Sequence, residues 1–368
     1  MLLLTTTRDA LLAPLQSVSG VVEKRHTLPI LSNVLIEKQG DALTLLATDI
    51  EIQITTHQGQ NDGSGEVTAI TVSARKLQDI LRALPDGEIS LLLDDKRLTL
   101  KAGKSRYNLQ TLPAADYPRM QLNSGESITL RMAQKDFRRQ LAQVAYAMAA
   151  QDIRYYLNGL LMQVLGSELR LVATDGHRLA LSSNTLEQDY ARTEVILPRK
   201  TVLELTRQLA DSDEPLDITI TGNQAAFRFG PIELITKLID GKFPDYDRVI
   251  PQGNPRLVVA HRASLLAALQ RAAILTNEKF RGLRVVLESG LLRVISSNTE
   301  QEEAQEEMEV SYAGESLELG FNVTYLLDLL NNVSTDTVEI HLNEPMSSAL
   351  FTLPGNEQFK AVVMPMRI

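Results

Sequence analysis

The chain has 368 residues, 44% of them hydrophobic, no cysteine and a formal net charge of −9. That length suggests two or three domains, each with enough apolar residues for a core, and the lack of cysteine excludes disulfides, thiol nucleophiles and thiolate metal sites and fits a reducing cytoplasm. No apolar run approaches the ~18 residues of a membrane span, no basic-then-apolar leader opens the chain, and the acidic total argues against a generic nucleic-acid binder.

In chain order, the first predicted helix covers 7–22, with Leu11, Leu12, Leu15 and Val18 at helical spacing; Pro14 is expected to bend or delay it. Strands follow at 33–38 and 42–48 across a short link at Gly40, which suits a hairpin. A second helix covers 73–84 with Ser73 as N-cap, followed by strands at 88–93 and 97–102. After a turn-rich link at Asn123-Ser124-Gly125 the order recurs. Helix 133–149, strands 158–164 and 168–174 around Gly166, helix 198–210 opened by Pro198, and strands 216–221 and 225–229 come next. Past Pro251 to Pro255 lie helix 261–276, strands 283–288 and 291–297, helix 322–333 capped by Asn322, and strands 338–342 and 349–353.

Residues recur as well as elements. Gly40 leads to Thr48-Asp49, Gly166 to Thr174-Asp175, and Gly290 to Asn298. Thr48 and Thr174 are 126 positions apart, and Asn298 follows Asp175 by 123. A period of that size means repeated domains rather than a solenoid. The prediction is three α+β units, 1–124, 125–253 and 254–368.

The six helical stretches hold 12 Lys and Arg against 5 Asp and Glu, in a chain of −9 overall. Helix surfaces favour Lys and Arg for their own sake. The sharper reading is a basic helical face on an acidic body, able to meet phosphates on that face only. Residues 300–309 carry the opposite sign, with six glutamates that suit a solvated edge strand or docking on a basic surface. Lys76, Arg97, Lys101, Lys104 and Arg106 of the first unit offer such a surface.

Asp175, His177 and Arg178 invite a catalytic reading, a three-domain hydrolase with His177 as base. Against it, the chain has no G-x-S-x-G elbow, no H-E-x-x-H and no phosphate loop. An ordinary Asp-Gly turn accounts for Asp175-Gly176. None of the five histidines pairs at ligand spacing, so no metal or cofactor is expected. Tyr155 and Tyr156 suit core or hydrogen-bonding roles equally well.

Five motifs carry a resemblance over the whole chain: Gln151 to Gly159, Val172 to Leu179, Asp240 to Tyr246, Asn277 to Gly282, and Val363 to Ile368. In this order they closely resemble the bacterial DNA polymerase III beta subunits, the sliding clamps. The resemblance implies three clamp domains per chain and a head-to-tail homodimer, a six-domain ring with helices inside and sheets outside. It implies a non-catalytic processivity factor that tethers the replicative polymerase to duplex DNA. Partners would be duplex DNA of any sequence and, through short linear motifs, polymerases, the clamp loader and repair proteins.

Geometry agrees with six domains. A unit of ~120 residues is about 35 Å across; six in a ring leave a hole of about 35 Å, and four leave only ~14 Å. A duplex needs roughly 20 Å plus water, so three units per chain require two chains.

Residue roles come from the resemblance alone. It places Arg25, Gln151, Tyr155, Tyr156, Arg199 and Lys200 against DNA, while Ala150 brings no polar side chain there. It gathers a partner-peptide groove from Leu157, Thr174, Gly176, His177, Arg178 and Leu179, then Pro244, Arg248 and Val249. Asn322, Tyr325, Val362, Met364, Pro365, Met366 and Arg367 complete it, with Met346 and Ser348 at its rim. Leucine, valine, proline and methionine make an adaptable apolar slot, and Arg178, Asn322 and Ser348 supply polar partners. At the dimer interface Ile274 and Leu275 would meet Tyr107, and Glu300, Glu302, Glu303 and Glu306 would face Lys76, Arg97, Lys104 and Arg106.

Overall fold

The computed structural model describes residues 2–23, 28–59, 67–94 and 96–367. It forms two compact units, Met1–Lys135 with Leu203–Leu238, and Asp136–Val202 with Ile239–Ile368. Six α-helices are described: α1 Arg8–Ser19, α2 Ala74–Ala83, α3 Gln134–Ala145, α4 Arg199–Gln208, α5 Arg262–Ala272 and α6 Val323–Asn331.

The first unit is built on one antiparallel sheet. Its strand order runs from Leu2–Thr7 through Glu88–Asp94, Arg97–Ala102, Ser105–Leu112, Thr68–Ser73, Asn33–Gln39, Ala42–Thr48 and Ile52–Gln58. It continues through Ile232–Lys237, Gln224–Phe229 and Pro215–Thr221 to Ser127–Ala133. Helices α1 and α2 pack on each other, and α1 lies on the strands Ala42–Thr48 and Ile52–Gln58. Thr7 starts α1 by accepting the Ala10 amide in its side chain, and Leu11, Leu15 and Val18 form the buried stripe. Ser73 and Asn322 cap α2 and α6 in the same way.

Pro14 neither delays nor ends α1. A proline inside a helix leaves the carbonyl four residues back without its donor, here Ala10. The Gln58 side-chain amide donates to that carbonyl at 3.2 Å, so the neighbouring strand replaces the missing bond.

The second unit holds two sheets. One orders Gly159–Thr174, Arg178–Pro198, Asn356–Val363, Ala349–Leu353, Thr337–Leu342 and Arg256–His261. The other orders Glu303–Glu309, Leu291–Ser297, Gly282–Glu288 and Leu317–Asn322. Leu269 of α5, Leu330 of α6, Leu283, Val294 and Phe359 share one buried core with these sheets. The expected strands 158–164 and 168–174 run on as one strand, Gly159–Thr174, paired throughout with Arg178–Pro198. Gly166 sits inside it at φ +60°, where the register slips, because the long partner strand carries the pairing past the glycine.

The recurring Thr-Asp motif is a side-chain-stapled turn. Asp49 Oδ1 accepts the amides of Glu51 and Ile52; Asp175 Oδ1 accepts those of His177 and Arg178; Asn298 Oδ1 accepts those of Glu300 and Glu302. Thr48 and Thr174 each accept an amide two residues on and donate to a carbonyl four residues on. The strand after each of the first two turns pairs with a strand more than 170 residues away. Ile52–Gln58 takes Ile232–Lys237, and Arg178–Pro198 takes Asn356–Val363. The strand after the third turn, Glu303–Glu309, is the edge of its sheet. Residues 105–110 pair only with Arg97–Ala102 among the described strands.

The Pro14 repair gives a double-mutant test. Gln58→Ala should cost about 0.5–1 kcal/mol, the worth of one ordinary hydrogen bond. In a Pro14→Ala background, where residue 14 supplies its own amide, the same change should cost close to nothing. Denaturant unfolding of the four proteins measures the coupling.

Candidate functional site

The second turn sits at the centre of the candidate site. Arg178, with a side chain 11% exposed, donates from Nε to Asp175 Oδ2 at 3.0 Å, from Nη1 to Asp328 Oδ2 at 2.6 Å and from Nη2 to the Tyr146 carbonyl at 2.6 Å. Its guanidinium lies 4.5 Å from the Tyr325 ring centroid and 5.5 Å from that of Tyr146. One side chain thus ties together the turn, the segment after α3, and α6. Burial pushes the Tyr146 and Tyr325 hydroxyls up, so both stay protonated. Three of its five N–H donors are engaged in this way, which fixes the guanidinium in place.

Beside the turn lies a groove of about 310 Å³. Leu157, Leu179 and Val362 form its buried floor; Thr174, Gly176, Arg178, Pro244, Val249 and Met364 make the walls. That volume and apolar character suit a few side chains of a peptide. Two lining residues, Arg154 and Tyr246, were not singled out from the sequence, although both lie inside the motifs quoted above. Gly176 is held at φ +90°, and a Cβ there would come within 3.0 Å of the Arg154 guanidinium. The chain end is pinned alongside: the Met364 amide donates to the His177 carbonyl at 3.0 Å, and the Met366 amide to Gly320 at 2.9 Å.

The remaining groove candidates lie outside that volume. His177 stacks on Tyr325 at 6.5 Å and lines a second, more polar cavity of about 630 Å³ with Gln151, Asp152, Asp328 and Arg199. Asn322 is occupied in capping α6. Arg248 is exposed and paired with Asp245 at 2.7 Å. Met346 is exposed, Ser348 receives Asn254 on its carbonyl, and Pro365, Met366 and Arg367 follow Met364 at the surface.

The proposed DNA-facing residues gather on one loop and the start of α4, except Arg25, which lies outside the described residues. Gln151 adopts φ +58°, Ile153 is 95% exposed, and Tyr155 and Tyr156 meet edge to face at 5.8 Å. Asn158 bonds both the amide and the carbonyl of Asp152, closing the loop; its own carbonyl accepts the Arg199 amide, and Lys200 is half-buried next in α4. Arg154 grips Asp152 from Nε at 3.0 Å and Nη2 at 2.8 Å, which holds the Asp152 carboxyl down at about 2.

The interface candidates fall into two groups. Lys76 on α2, and Arg97, Lys104 and Arg106 beside half-buried Tyr107, are exposed in the first unit. Ile274 is 77% exposed after α5, with Leu275 half-buried beside it. Glu300 and Glu302 belong to the third turn, and Glu303 and Glu306 to the edge strand. Glu306 is already held by Arg271, at 2.9 and 2.6 Å, and that pair keeps its carboxyl below the usual range.

Comparison with known proteins gives three consecutive matches to family models. The N-terminal, central and C-terminal domains of the DNA polymerase III beta subunit match residues 2–121, 131–245 and 247–367. The chain belongs to the DNA polymerase III beta subunit family. It is 48% identical over 367 residues to the beta sliding clamp of Pseudomonas putida, covering 99% of both chains. To that of Escherichia coli K12 it is 42% identical over 365 residues, again with 99% of each covered. The crystal structure of the DNA polymerase III subunit beta from Pseudomonas aeruginosa superposes with a TM-score of 0.93 at 46% identity, over 99% of both chains. No helix of the described residues is long and apolar enough to cross a membrane.

The Asp152–Arg154 clasp has a pH signature. A carboxyl whose folded value is depressed stabilises the loop fully above its ordinary range, near 3.8, and loses that contribution as pH falls through about 2. The Asp152 carboxyl carbon should therefore keep its ionised NMR shift at pH 3. Arg154→Ala should raise its titration into the range above 3. An unchanged titration in that variant contradicts the clasp.

Proposed function

We propose that two copies of this chain close head to tail into a ring around duplex DNA and hold polymerases there, catalysing no reaction. The observation that carries this is the strand junction, made twice within the chain and left open at each end. The same joint between the edge strand Glu303–Glu309 of one copy and Ser105–Leu112 of the next closes the ring. The relatives' name, beta sliding clamp, supports the same reading. The domains are 1–124, 125–253 and 254–368, and the ring works in the cytoplasm, where the chromosome is.

The repeat also supplies a register. Glu303 takes the place of Gln53 and Leu179, since each pairs with the residue before its turn's Asp or Asn. Gln53 pairs with Ile235, and Leu179 with Val362. Asn108 follows Gly103 as Ile235 follows Gly230, each glycine opening a tight turn at φ +54° or +52°. Across the seam Glu303 then faces Asn108, Gln305 faces Arg106 and Glu307 faces Lys104, with Glu303 and Glu307 diagonal to Arg106. Ile274 and Leu275 supply the apolar part near Tyr107; the charges set register and rate more than affinity.

DNA meets the loop at Gln151, Tyr155 and Tyr156 and the α4 residues Arg199 and Lys200, together with Arg25. Contacts with phosphate and water allow sliding because they carry no sequence information. Polymerases, the loader and repair proteins share the groove floored by Leu157, Leu179 and Val362, one groove per chain.

Three measurements test this. Cysteines at Gln305→Cys and Arg106→Cys should link two chains on oxidation, in a protein with no cysteine of its own. Moving the first to Glu306→Cys should not, because a one-residue step turns the side chain to the other face. Ile274→Ala with Leu275→Ala should yield monomers in sedimentation, and a dimer at nanomolar concentration would refute the seam. A short peptide with glutamine followed by leucine and an aromatic residue should bind once per chain at micromolar strength, about −8 kcal/mol. Deleting the last five residues should abolish that binding and leave the dimer.

A further inference from the structure

The two internal junctions are the same joint, and the second opens into the groove described above. Their backbones match: the Lys237 amide donates to the Glu51 carbonyl at 2.9 Å, as the Met364 amide does to His177 at 3.0 Å. Thr48, Ile50, Gln53 and Lys237 therefore occupy the places of Thr174, Gly176, Leu179 and Met364, all four of which line the open groove. Met120 stands in the place of Tyr246, 126 positions earlier, and Asn123 in that of Val249.

Three exchanges change what the first junction can hold. Leu179 is an apolar floor; Gln53, almost fully buried, instead clamps the backbone of its own wall. Its Oε1 accepts the Met120 amide at 2.7 Å and its Nε2 donates to the Met120 carbonyl at 3.2 Å. Met364 lines the open groove as an apolar side chain; Lys237 instead pairs with Glu51 at 2.9 Å. Gly176 has no side chain; Ile50, at φ +73° in the equivalent turn position, carries one. Further along, the Asn123 amide is tied to Gln224 Oε1 at 2.8 Å. The open copy does the reverse. Tyr246 donates its hydroxyl to Gln163 at 2.7 Å, so that wall is anchored away from the floor.

We propose that the first junction is a second partner groove held shut by Gln53, which admits the same glutamine-leucine-aromatic peptide once its grip on Met120 is released. The proposal rests on the partner-groove reading above and deepens it: in this chain the repeated joint is open or closed according to what stands at the floor position. The latch consists of two hydrogen bonds to one residue, so a single side chain governs it. The occupant is set by the shared frame, since the Thr48 turn and the Ile232–Lys237 strand repeat the elements that bound the open groove.

Calorimetry with that peptide, counting sites per chain, tests this together with amide exchange at Met120. The wild-type protein should bind one peptide per chain and show slow Met120 exchange. The variant Ile50→Gly, Gln53→Leu, Lys237→Met should show fast Met120 exchange without peptide and two sites per chain, the first with unchanged affinity. Fast exchange with the count still at one overturns the proposal, as does fast Met120 exchange in the wild type. If the triple variant does not fold, Gln53→Leu alone decides: saturating peptide must slow exchange across Met120 to Asn123, and no slowing overturns it. A wild-type protein that binds no peptide strikes the partner-groove reading instead, and the same titration reveals it.

Discussion

The arrangement around the groove depends on one largely shielded cation. Arg178 balances Asp175 and Asp328 and donates to the Tyr146 carbonyl while lying over two aromatic rings. Removing one partner of such a cluster leaves a charge uncompensated in a poorly solvated place, a loss of roughly 3–5 kcal/mol. The turn, the segment after α3 and α6 therefore hold one geometry together. Gly176, Leu179 and the chain end at Met364 are positioned by that geometry, since each is bonded or adjacent to the turn that Arg178 braces.

The second constraint is the exposed edge. A strand with unpaired amides and carbonyls invites pairing, and proteins usually blunt it. Here two edges are satisfied inside the chain by strands far away in sequence. The edge strand Glu303–Glu309 carries four glutamates, and the strand Ser105–Leu112 with its flank carries Lys101, Lys104 and Arg106. Charge of opposite sign on two edges admits each other and refuses self-pairing, which a head-to-tail assembly requires.

Little separates the two internal junctions. Backbone hydrogen bonds, turn staples and strand pairing are shared. What differs is whether the floor position bears a hydrocarbon, as Leu179 does, or an amide that can satisfy the wall, as Gln53 does. A buried amide must find partners, and Gln53 finds them on the Met120 backbone.

The sequence by itself determined the repeat, the α+β character, the caps at Ser73 and Asn322, and the motifs by which the family is recognised. These are local: capping residues, glycine turns and hydrophobic spacing act within a few positions, and Thr48-Asp49 and Thr174-Asp175 carry the same staple wherever they occur. Most of the groove was legible through the motifs, from Leu157 to Met364. Tertiary structure alone decided what no local pattern encodes. Pro14 survives inside α1 because Gln58, on a strand 44 residues later, supplies a donor. Gly166 lies within a strand because its partner continues past it. Arg178 reaches Asp328, 150 positions away, and Glu306 reaches Arg271. Arg154 and Tyr246 entered the groove wall, and His177 turned to the neighbouring cavity, for the same reason. Where a long polar side chain points is settled by the partners that folding brings within reach, and those lie far along the chain.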